Sequence, residues 1–355
     1  MMLHPQFKLN GIAYNETSLL EVSTELVKEG NAFEKSVGSF LIEWFINSDV
    51  VNVTTSGSTG TPKQITLKKK HMVNSALATG SFFNLKSQNT ALLCLSADFI
   101  AGKMMLVRAM VLGLELDVVE PSSSPLSKAT KCYNFCAMVP IQVENSLRNL
   151  KQIDTLIIGG APLSDALSEN LQNVETNCFE TYGMTETITH VAVKRANRFN
   201  SDRDETYFNT LPNISISKDE RGCLVIEAPK ISNKTIITND MVELIDSKRF
   251  KWLGRYDTII NSGGVKLIPE QIEKKLNTFI KNRFFVAGIP DDSLGQKVVL
   301  VLERTKNRDS IKDEFDFTGI LSKYETPKEI IQVDNFIKTK NGKINREETI
   351  LEILN

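Results

Sequence analysis

A loop rich in glycine and hydroxyl residues, Thr-Thr-Ser-Gly-Ser-Thr-Gly-Thr-Pro-Lys at residues 54–63, follows a strand-like segment of the chain. Its N–H groups, its hydroxyls and its terminal lysine can donate to phosphate oxygens. It is not a Walker A loop, because proline precedes the lysine and glutamine follows it. The alternative is a flexible Ser/Gly linker, although linkers seldom follow a buried-strand pattern directly. The candidate phosphate-binding residues are Thr55, Ser56, Gly57, Ser58, Thr59, Gly60, Thr61 and Lys63.

A second segment with chemical potential is Thr-Tyr-Gly-Met-Thr-Glu-Thr at residues 181–187. The turn at Tyr182 and Gly183 can present a flat ring or a backbone face to a purine. Thr185 supplies a hydroxyl, and Glu186 is a hard oxygen ligand suited to Mg²⁺. Considered alone, the segment is at least as typical of a surface turn.

Together, these segments resemble the adenylate-forming superfamily of acyl-CoA synthetases, firefly-type luciferases and peptide-synthetase adenylation domains. The resemblance continues in order along the chain. Residues 159–162, Gly-Gly-Ala-Pro, are similar to the family's adenine-side turn, and Asp240 ends TIITND where the family has Thr-Gly-Asp. LGRYDTIINSGGVKLIPEQIE at residues 253–273 is similar to the hinge segment, and IKTKNGK at residues 337–343 resembles the loop that ends in the catalytic lysine.

The resemblance implies that ATP activates a carboxylate as an acyl-adenylate, with release of pyrophosphate, and that the acyl group then passes to CoA. ATP, Mg²⁺ and CoA are the expected cofactors and co-substrates. Catalysis is assigned by the resemblance to Lys343, Thr185 and Glu186, with Glu186 and Thr59 near the metal. Adenine and ribose contacts are assigned to Gly160, Ala161, Pro162, Tyr182, Gly183, Asp240 and Arg255. The hinge is assigned to Asp257, and CoA contacts to Gly263, Gly264 and Lys266.

The chemistry of the reaction agrees with a cation at Lys343, because negative charge develops on the phosphoryl oxygens during attack on the α-phosphate. Taken alone, Lys343 is also typical of a solvated lysine after an Asn-Gly turn, and Lys266 of a surface charge. Two departures from the family stand out. Asn239 replaces the usual glycine before Asp240, although asparagine also tolerates a left-handed backbone. Only about fifty residues precede the phosphate loop, which leads to the expectation that part of the usual first subdomain is missing or reduced.

The acid is expected to bind near LSADFIAGKMMLVRA at residues 95–109. This segment and the short N-terminus resemble the o-succinylbenzoate–CoA ligases of menaquinone biosynthesis, whose substrate carries two carboxylates. The carboxylate that is not activated needs a cation or hydroxyls, and the candidates are Lys103, Arg108, Thr189 and His190. The alternatives are solvated helix charges for the two cations and a packed structural role for the histidine.

Three functions remain open on the sequence. The first is a CoA ligase for an aromatic dicarboxylic acid. The second is a free-standing adenylation enzyme that loads another acid onto a carrier-protein thiol or an amine. The third is a non-catalytic ATP-binding module, which the retention of Lys63, Glu186, Asp240, Arg255 and Lys343 disfavours.

Composition narrows the class of protein. Lys plus Arg number 42 against 43 for Asp plus Glu, so no strongly basic field favours nucleic acid as a partner. The five cysteines lack a second Cys/His pair at zinc spacing, and buried free thiols in a reducing compartment are expected. No signal core and no run of ~18 apolar residues is present, which predicts a cytoplasmic protein without a membrane span whose partners are small molecules.

The elements that must position these residues alternate between strand and helix patterns up to about Thr189, which predicts an α/β domain with a largely parallel sheet. In this part VVNVT and DTLIIGG are expected as strands, and residues 71–83, 102–113 and 141–150 as helices. A β-rich subdomain follows, and a mixed α+β region begins after Arg255. In that region Pro269 is expected in the first turn of a helix, and the charged residues 303–314 as a surface loop or linker. The resemblance places Gly263 and Gly264 on a strand. The predicted domains are 1–256, which binds ATP and acid, and 257–355, a small mobile domain that carries the catalytic lysine. Two amphipathic helices are expected over residues 16–47, the first with a capping box from Ser18 to Glu21.

Overall fold

The computed structural model describes residues 3–54, 64–127, 129–199, 207–280, 282–304, 315–338 and 344–354. The α-helices are α1 Glu16–Glu29, α2 Ala32–Phe45, α3 Lys69–Phe82, α4 Ile100–Leu112, α5 Pro140–Glu144, α6 Asp165–Leu171, α7 Pro269–Leu276 and α8 Arg346–Leu354. Short 3₁₀ helices span Leu147–Gln152, Thr185–Thr187 and Tyr256–Thr258.

The strands of the first part of the chain are β1 Lys8–Leu9, β2 Ile12–Ala13, β3 Val50–Thr54, β4 Gln64–Lys68, β5 Thr90–Leu93, β6 Glu115–Val118, β7 Tyr133–Met138, β8 Ile153–Ile158 and β9 Asn177–Gly183. The remaining strands are β10 His190–Arg195, β11 Phe208–Thr210, β12 Ser215–Lys218, β13 Cys223–Glu227, β14 Ile236–Leu244, β15 Arg249–Arg255, β16 Ile260–Ser262, β17 Val265–Leu267, β18 Phe284–Asp291, β19 Gly295–Glu303 and β20 Glu329–Val333.

One sheet of 13 strands organises the first 255 residues, in the order β12-β13-β14-β15-β11-β10-β9-β8-β7-β5-β6-β1-β2. Strands β9, β8, β7, β5, β6 and β1 are parallel neighbours. From β9 across β10 to β12 every pairing is antiparallel. The predicted parallel sheet and β-rich region are therefore confirmed, and the two are halves of one continuous sheet.

The parallel half forms because its strands are short apolar runs that are buried on both faces. Leu92, Phe135, Leu156 and Cys178 are each fully buried at the centre of four neighbouring strands. Helix α4 packs against β5 and is apolar around most of its circumference, with nine buried residues. The carboxyl ends of β7, β8 and β9 share one edge of the sheet, which is where ligands of open α/β sheets commonly bind.

A second sheet, β17-β16-β19-β18 with β20 beside β19, starts five residues after β15 ends. Helix α7 begins with Pro269 in its first turn, as expected, because proline lacks only an N–H that a helix start leaves free. Helices α7 and α8 both contact β18. The apolar residues of this region form two clusters, one with Ile272 and Leu300 and the other with Phe285, and both are separate from the clusters of the large sheet.

Two predictions about helix ends are wrong in detail. The capping box of α1 joins Asn15 to Ser18, since the Asn15 side chain accepts from the Ser18 N–H and the Ser18 hydroxyl accepts from the Asn15 N–H. The stretch 141–150 was expected as one helix, but α5 ends at Glu144 and a 3₁₀ helix follows. The charged stretch at residues 303–314 was expected as a loop or linker, but Glu303 is the last residue of β19, and residues 305–314 lie outside the described residues.

Four of the five cysteines are buried, as expected, and one is not. Cys94, Cys136, Cys178 and Cys223 are buried free thiols, and Cys132 is an exposed one. No helix within the described ranges combines the length and apolarity that crossing a bilayer requires.

Candidate active site

Several of the residues that the motifs indicate contact Asp240 on β14. The Tyr182 hydroxyl, at the end of β9, donates to Asp240 Oδ2 at 2.6 Å, and Trp252 Nε1 donates to Oδ1 at 3.1 Å. Arg255 pairs with Asp240 across the β14–β15 ladder, and its Nη1 lies 3.7 Å from Oδ1. Three motifs separated by up to 73 positions, at residues 182, 240 and 255, thus meet at one carboxylate.

The electrostatics of this cluster keep the tyrosine protonated. Burial raises the pKa of the Tyr182 phenol, and the Asp240 carboxylate raises it further. The phenol therefore remains a hydrogen-bond donor well above neutral pH. The sequence interpretation missed Trp252, whose indole completes the support of Asp240; only its place on the neighbouring strand could have indicated it.

Arg255 also forms a bidentate pair with Asp257, the residue expected at the hinge. Arg255 Nε and Nη2 lie 3.0 Å and 2.6 Å from the two carboxylate oxygens. This hydrogen bonding raises the pKa of Arg255 and lowers the pKa of Asp257.

Arg221 is a residue that no motif had indicated. Its guanidinium donates to the Asn239 side-chain oxygen at 2.9 Å and to the Thr238 carbonyl.

The turn after β9 places Thr185 and Glu186 on a short 3₁₀ helix, with Glu186 exposed. The buried Thr187 hydroxyl braces this turn through Met184 and the Thr189 carbonyl. Ile188 follows with φ 69° and ψ −53°, a rare conformation for a β-branched residue that closes a γ-turn between Thr187 and Thr189. A strained backbone of this kind persists only where surrounding contacts fix it in place. At Ile188 it turns the chain sharply towards Thr189.

The Gly-Gly-Ala-Pro turn lies beside this segment, because β8 and β9 are parallel neighbours. The Thr181 hydroxyl donates to the Ile158 carbonyl at 3.0 Å, and a Cβ at Gly159 would lie 2.5 Å from that hydroxyl. Gly160 has φ 88° and is exposed together with Ala161 and Pro162. The predicted adenine-side residues and the Tyr182-Gly183 turn therefore share one edge of the sheet.

Arg108 lies inside the molecule, with 1% of its surface exposed, and is among the largest fully buried side chains. Its Nη2 donates to the Thr189 hydroxyl at 3.0 Å and lies 3.5 Å from His190 Nδ1. Among the residues that the structure describes, no carboxylate pairs with it, and Arg108 Nε has no hydrogen-bond partner. Burial lowers the pKa of Arg108 to about 9.

Lys103, which was predicted to share the acid site with Arg108, is used elsewhere. Its Nζ lies 3.6 Å from Glu43 Oε2 and 4.6 Å from the centre of the Phe40 ring. Five positions along a helix of 3.6 residues per turn place the two cations on different faces. The structure therefore brings Arg108, Thr189 and His190 together and leaves Lys103 against α2.

Gly263 and Gly264 form the two-residue turn between β16 and β17, with φ 57° and 81°. They had been expected on a strand, so their place in the motif is corrected to a hairpin turn that requires positive φ at both positions. Lys266 is exposed on β17.

The predicted residues Thr55 to Lys63 and Lys343 lie outside the described residues, although β3 and β4 pair up to Thr54 and Gln64 on either side of the loop.

A cleft of about 290 Å³ lies between α3 and residues 211–214 and 228–231. Of the predicted site residues only His190 lines it. The cleft thus adjoins His190, whereas Asp240, Tyr182 and Arg255 meet outside it. Within the described residues no group of three or more His, Cys, Asp or Glu side chains could hold a metal ion. A single carboxylate such as Glu186 is compatible with Mg²⁺, which usually takes one or two carboxylates together with phosphate and water oxygens.

The profile of the AMP-binding enzyme family matches residues 26–217. The chain is 24% identical over 337 residues to the 2-succinylbenzoate–CoA ligase of Listeria monocytogenes, an alignment that covers 86% of this chain and 70% of the relative. It is likewise 24% identical over 330 residues to the 2-succinylbenzoate–CoA ligase of Salmonella typhimurium, with 88% and 71% covered.

Solved structures share the fold. An acyl-CoA synthetase (AMP-forming)/AMP-acid ligase II-like protein from Dyadobacter fermentans is 34% identical, with a TM-score of 0.62 over 94% of this chain and 98% of that one. The o-succinylbenzoate CoA synthetase of Bacillus subtilis, in complex with its acyl-adenylate intermediate, is 20% identical, with a TM-score of 0.72 over 84% and 68%.

Proposed function

We infer that this chain, which belongs to the AMP-binding enzyme family, is an adenylate-forming acid–CoA ligase whose acid is o-succinylbenzoate. The observation that carries the choice of acid is Arg108, a buried cation for which the described residues provide no carboxylate. The names of the related ligases support the same acid, since that compound carries two carboxylates. One carboxylate is activated, and the other is held by Arg108.

The physical argument rests on the cost of an unpaired buried charge. Such a charge is several kcal/mol less stable than a solvated one, on the order of the effective penalty for real proteins. A ligand carboxylate at Arg108 would recover much of this penalty through a charge-assisted hydrogen bond. Thr189 is only half-buried, so the ligand would approach the guanidinium from the side of the Thr189 hydroxyl.

The nucleotide is proposed to lie along the edge formed by β8, β9 and β14. Asp240, held by Tyr182 and Trp252, would accept from the ribose hydroxyls, and Arg255 would lie beside them. The loop at residues 55–63 would donate to the phosphates. Mg²⁺ at Glu186 and Thr59 would supply charge neutralisation for those phosphates when bound.

In the first half-reaction the acid carboxylate attacks the α-phosphorus, and pyrophosphate leaves. The protein contributes mainly position and charge, because the transition state gathers negative charge on the phosphoryl oxygens. Lys343 is proposed to meet that charge, and Thr185 to orient the attacking carboxylate. In the second half-reaction the CoA thiol attacks the acyl carbon, and AMP leaves.

We propose that residues 257–355 form the mobile domain that separates these half-reactions. The change from the first sheet to the second at residues 256–259 supports this division. The Gly263-Gly264 turn and Lys266 would approach CoA in one arrangement, and Lys343 would approach the adenylate in the other. The hinge is assigned to Asp257, in the 3₁₀ turn between the sheets.

The acid is tested by pyrophosphate release with o-succinylbenzoate and with two analogues that each lack one carboxylate, 4-oxo-4-phenylbutanoate and 2-butanoylbenzoate. One analogue should react with a kcat/KM lowered roughly 10- to 100-fold, the loss expected for a hydrogen bond to a charged group, and the other should not react. Equal rates for the diacid and the reactive analogue would exclude a role for the second carboxylate. Acid-dependent pyrophosphate release without acyl-CoA formation would favour a carrier-protein thiol as acceptor.

A further inference from the structure

A chain of hydrogen-bonding groups leads from Arg108 to helix α3, an element in which no motif had indicated a site residue. His190 Nε2 lies 3.4 Å from the Thr79 hydroxyl, and that hydroxyl donates to the Ser75 carbonyl at 3.0 Å. Thr79 and His190 are both buried, with 0% and 5% of their surface exposed. Packing therefore fixes the chain of contacts, and His190 and Ser75 also border the cleft beside α3.

The direction of the protons follows from these contacts. The single proton of the Thr79 hydroxyl is used on the Ser75 carbonyl, so Thr79 Oγ1 can only accept from His190. His190 Nε2 must then carry its proton, which leaves Nδ1 with a free lone pair. Nδ1 lies 3.5 Å from Arg108 Nη2 and 3.3 Å from the Thr189 hydroxyl. Helix α3 thus selects the His190 tautomer whose unprotonated Nδ1 faces the Arg108 guanidinium.

The groups that the described residues direct at Arg108 Nη2 are neutral acceptors. The Thr189 hydroxyl oxygen accepts at 3.0 Å, and His190 stays uncharged because burial, and then Arg108 itself, lower the pKa of its ring. Neutral acceptors orient a guanidinium but leave its charge uncompensated, whereas a carboxylate would neutralise it. Arg108 is consequently held in place with its charge available to a ligand.

We propose that Thr79 and His190 are positioning residues for acid selectivity, which act by orienting Arg108 towards the second carboxylate of the substrate. This inference rests on the proposed function, since it needs a dicarboxylic acid as the ligand of Arg108. It also changes the expectation for His190, which was a candidate acid contact and is here a support for the cation. Thr79 does not touch the substrate.

The first test is the effect of Thr79→Val, which keeps the shape of the side chain and removes the acceptor. We expect the ratio of kcat/KM for o-succinylbenzoate to kcat/KM for the reactive single-carboxylate analogue to fall roughly 5- to 10-fold, the loss expected for one neutral hydrogen bond. Thr79→Ser should restore the ratio. Thr176→Val is the matched control, because Thr176 is a buried threonine that donates to the Leu150 carbonyl on another element.

A second measurement leaves Thr79, His190 and Arg108 unchanged. The chain has three histidines, so ring ¹⁵N–¹H NMR of the wild-type protein can be assigned by comparison with His4→Gln and His71→Gln. We expect a neutral His190 with the proton on Nε2 at pH 7. A proton on Nδ1, or an unchanged selectivity ratio in a folded Thr79→Val protein, would overturn the inference. A wild-type enzyme without preference for the diacid would instead overturn the proposed function, and the two failures are distinguishable.

Discussion

At the scale of single residues, Arg108 and Lys103 show how burial and pairing decide the role of a charge. Both lie on α4 and both are buried to 9% exposure or less. Lys103 has the Glu43 carboxylate and the Phe40 ring as partners, so its charge is compensated within the fold. Arg108 has only neutral partners among the described residues, which is a costly arrangement unless a ligand completes it.

This contrast predicts the effects of Arg108→Met. Because the variant removes an unpaired buried charge and preserves volume, the ligand-free protein should be as stable as the wild type or more stable, by up to about 1–4 kcal/mol. Its kcat/KM for o-succinylbenzoate should fall at least roughly 100-fold, and its activity on the reactive single-carboxylate analogue should change much less. Urea unfolding without ligand and pyrophosphate release measure the two effects.

Lys103→Met is the matched control on the same helix. It leaves Glu43 without its cation and should lower the free energy of unfolding while the selectivity ratio stays unchanged. If Arg108→Met unfolds at lower urea concentration and keeps the wild-type selectivity, Arg108 is a structural residue and the proposed acid site is wrong.

At the scale of elements, the β14–β15 ladder and the 3₁₀ turn after it hold the second group of predicted residues. Asp240 and Arg255 are register partners, and the turn brings Asp257 back onto the Arg255 side chain. The Arg255–Asp257 pair therefore ties the end of the large sheet to the segment that leads into the second sheet. Partial exposure keeps its contribution small, on the order of 0.2–1 kcal/mol.

The pair predicts a pH-dependent effect for Asp257→Asn. Hydrogen bonding to Arg255 lowers the pKa of Asp257 below its ordinary value of 3.8. The stabilisation is thus present above about pH 4 and is lost as the pH falls through the lower, folded-state value. We expect wild type to be more stable than Asp257→Asn at pH 6, and the difference to shrink between pH 4 and pH 2.

Asp246→Asn is the control for this measurement. Asp246 makes a similar pair with Arg249, at 2.8 Å and 2.7 Å, and its pKa is lowered in the same way. Both variants should show a similar pH profile in urea unfolding, but only Asp257→Asn should alter the rates of the half-reactions. A stability difference for Asp257→Asn that is constant from pH 6 to pH 2 would contradict the assigned ion pair.

The sequence predicted the helices and strands that have a strong hydrophobic pattern of their own. The run VVNVT coincides with β3, and DTLIIGG covers β8 from its second residue onwards. Helices α3 and α4 lie where the apolar helix patterns are. Two-residue strands such as β1 and β2 carry no readable period, and β16 and β17 are only three residues each. The break after Glu144 was missed because the helix pattern continues through a segment whose backbone follows tertiary packing.

The candidate site likewise contains residues that the sequence indicated and residues that only the folded chain reveals. The motifs indicated Tyr182, Asp240 and Arg255 because each belongs to a segment similar to a known family. Trp252 and Thr79 lie in segments without such a motif, and only the folded chain brings them to Asp240 and His190. Spacing also could not separate Lys103 from Arg108, since the choice depends on what α2 presents to each face of α4.

At the scale of the whole molecule, two sheets meet at a junction of four residues, 256–259. Contacts across it include Gln271, which donates to the Leu253 carbonyl, and Glu270, whose carboxylate packs against Gly254. A reaction with two chemically different steps at one acyl carbon needs different groups to approach in turn. The Gly263-Gly264 turn and Lys343 lie about eighty positions apart in the second region, so a rotation at the junction would present them one after the other.

The last prediction tests the place of the glycine turn in this cycle. Gly264 has φ 81° and no atom within 4 Å of an added Cβ, so Gly264→Ile would strain the backbone and project a side chain into open space. If the pantetheine arm of CoA uses that space, acyl-adenylate should form at a near-normal rate while its transfer to CoA slows sharply. Rapid-quench measurement of each half-reaction separates the two rates.

Gly222→Ile provides the matched control, because Gly222 has φ 82°, also has open space around an added Cβ, and lies in the β12–β13 turn of the large sheet. The two variants carry the same backbone strain and should lose similar thermal stability. Asparagine tolerates positive φ, so Gly264→Asn should slow CoA transfer with less loss of stability. A folded Gly264→Ile protein that transfers its acyl group to CoA as fast as Gly222→Ile would remove this turn from the CoA site, because strain alone would then account for both variants.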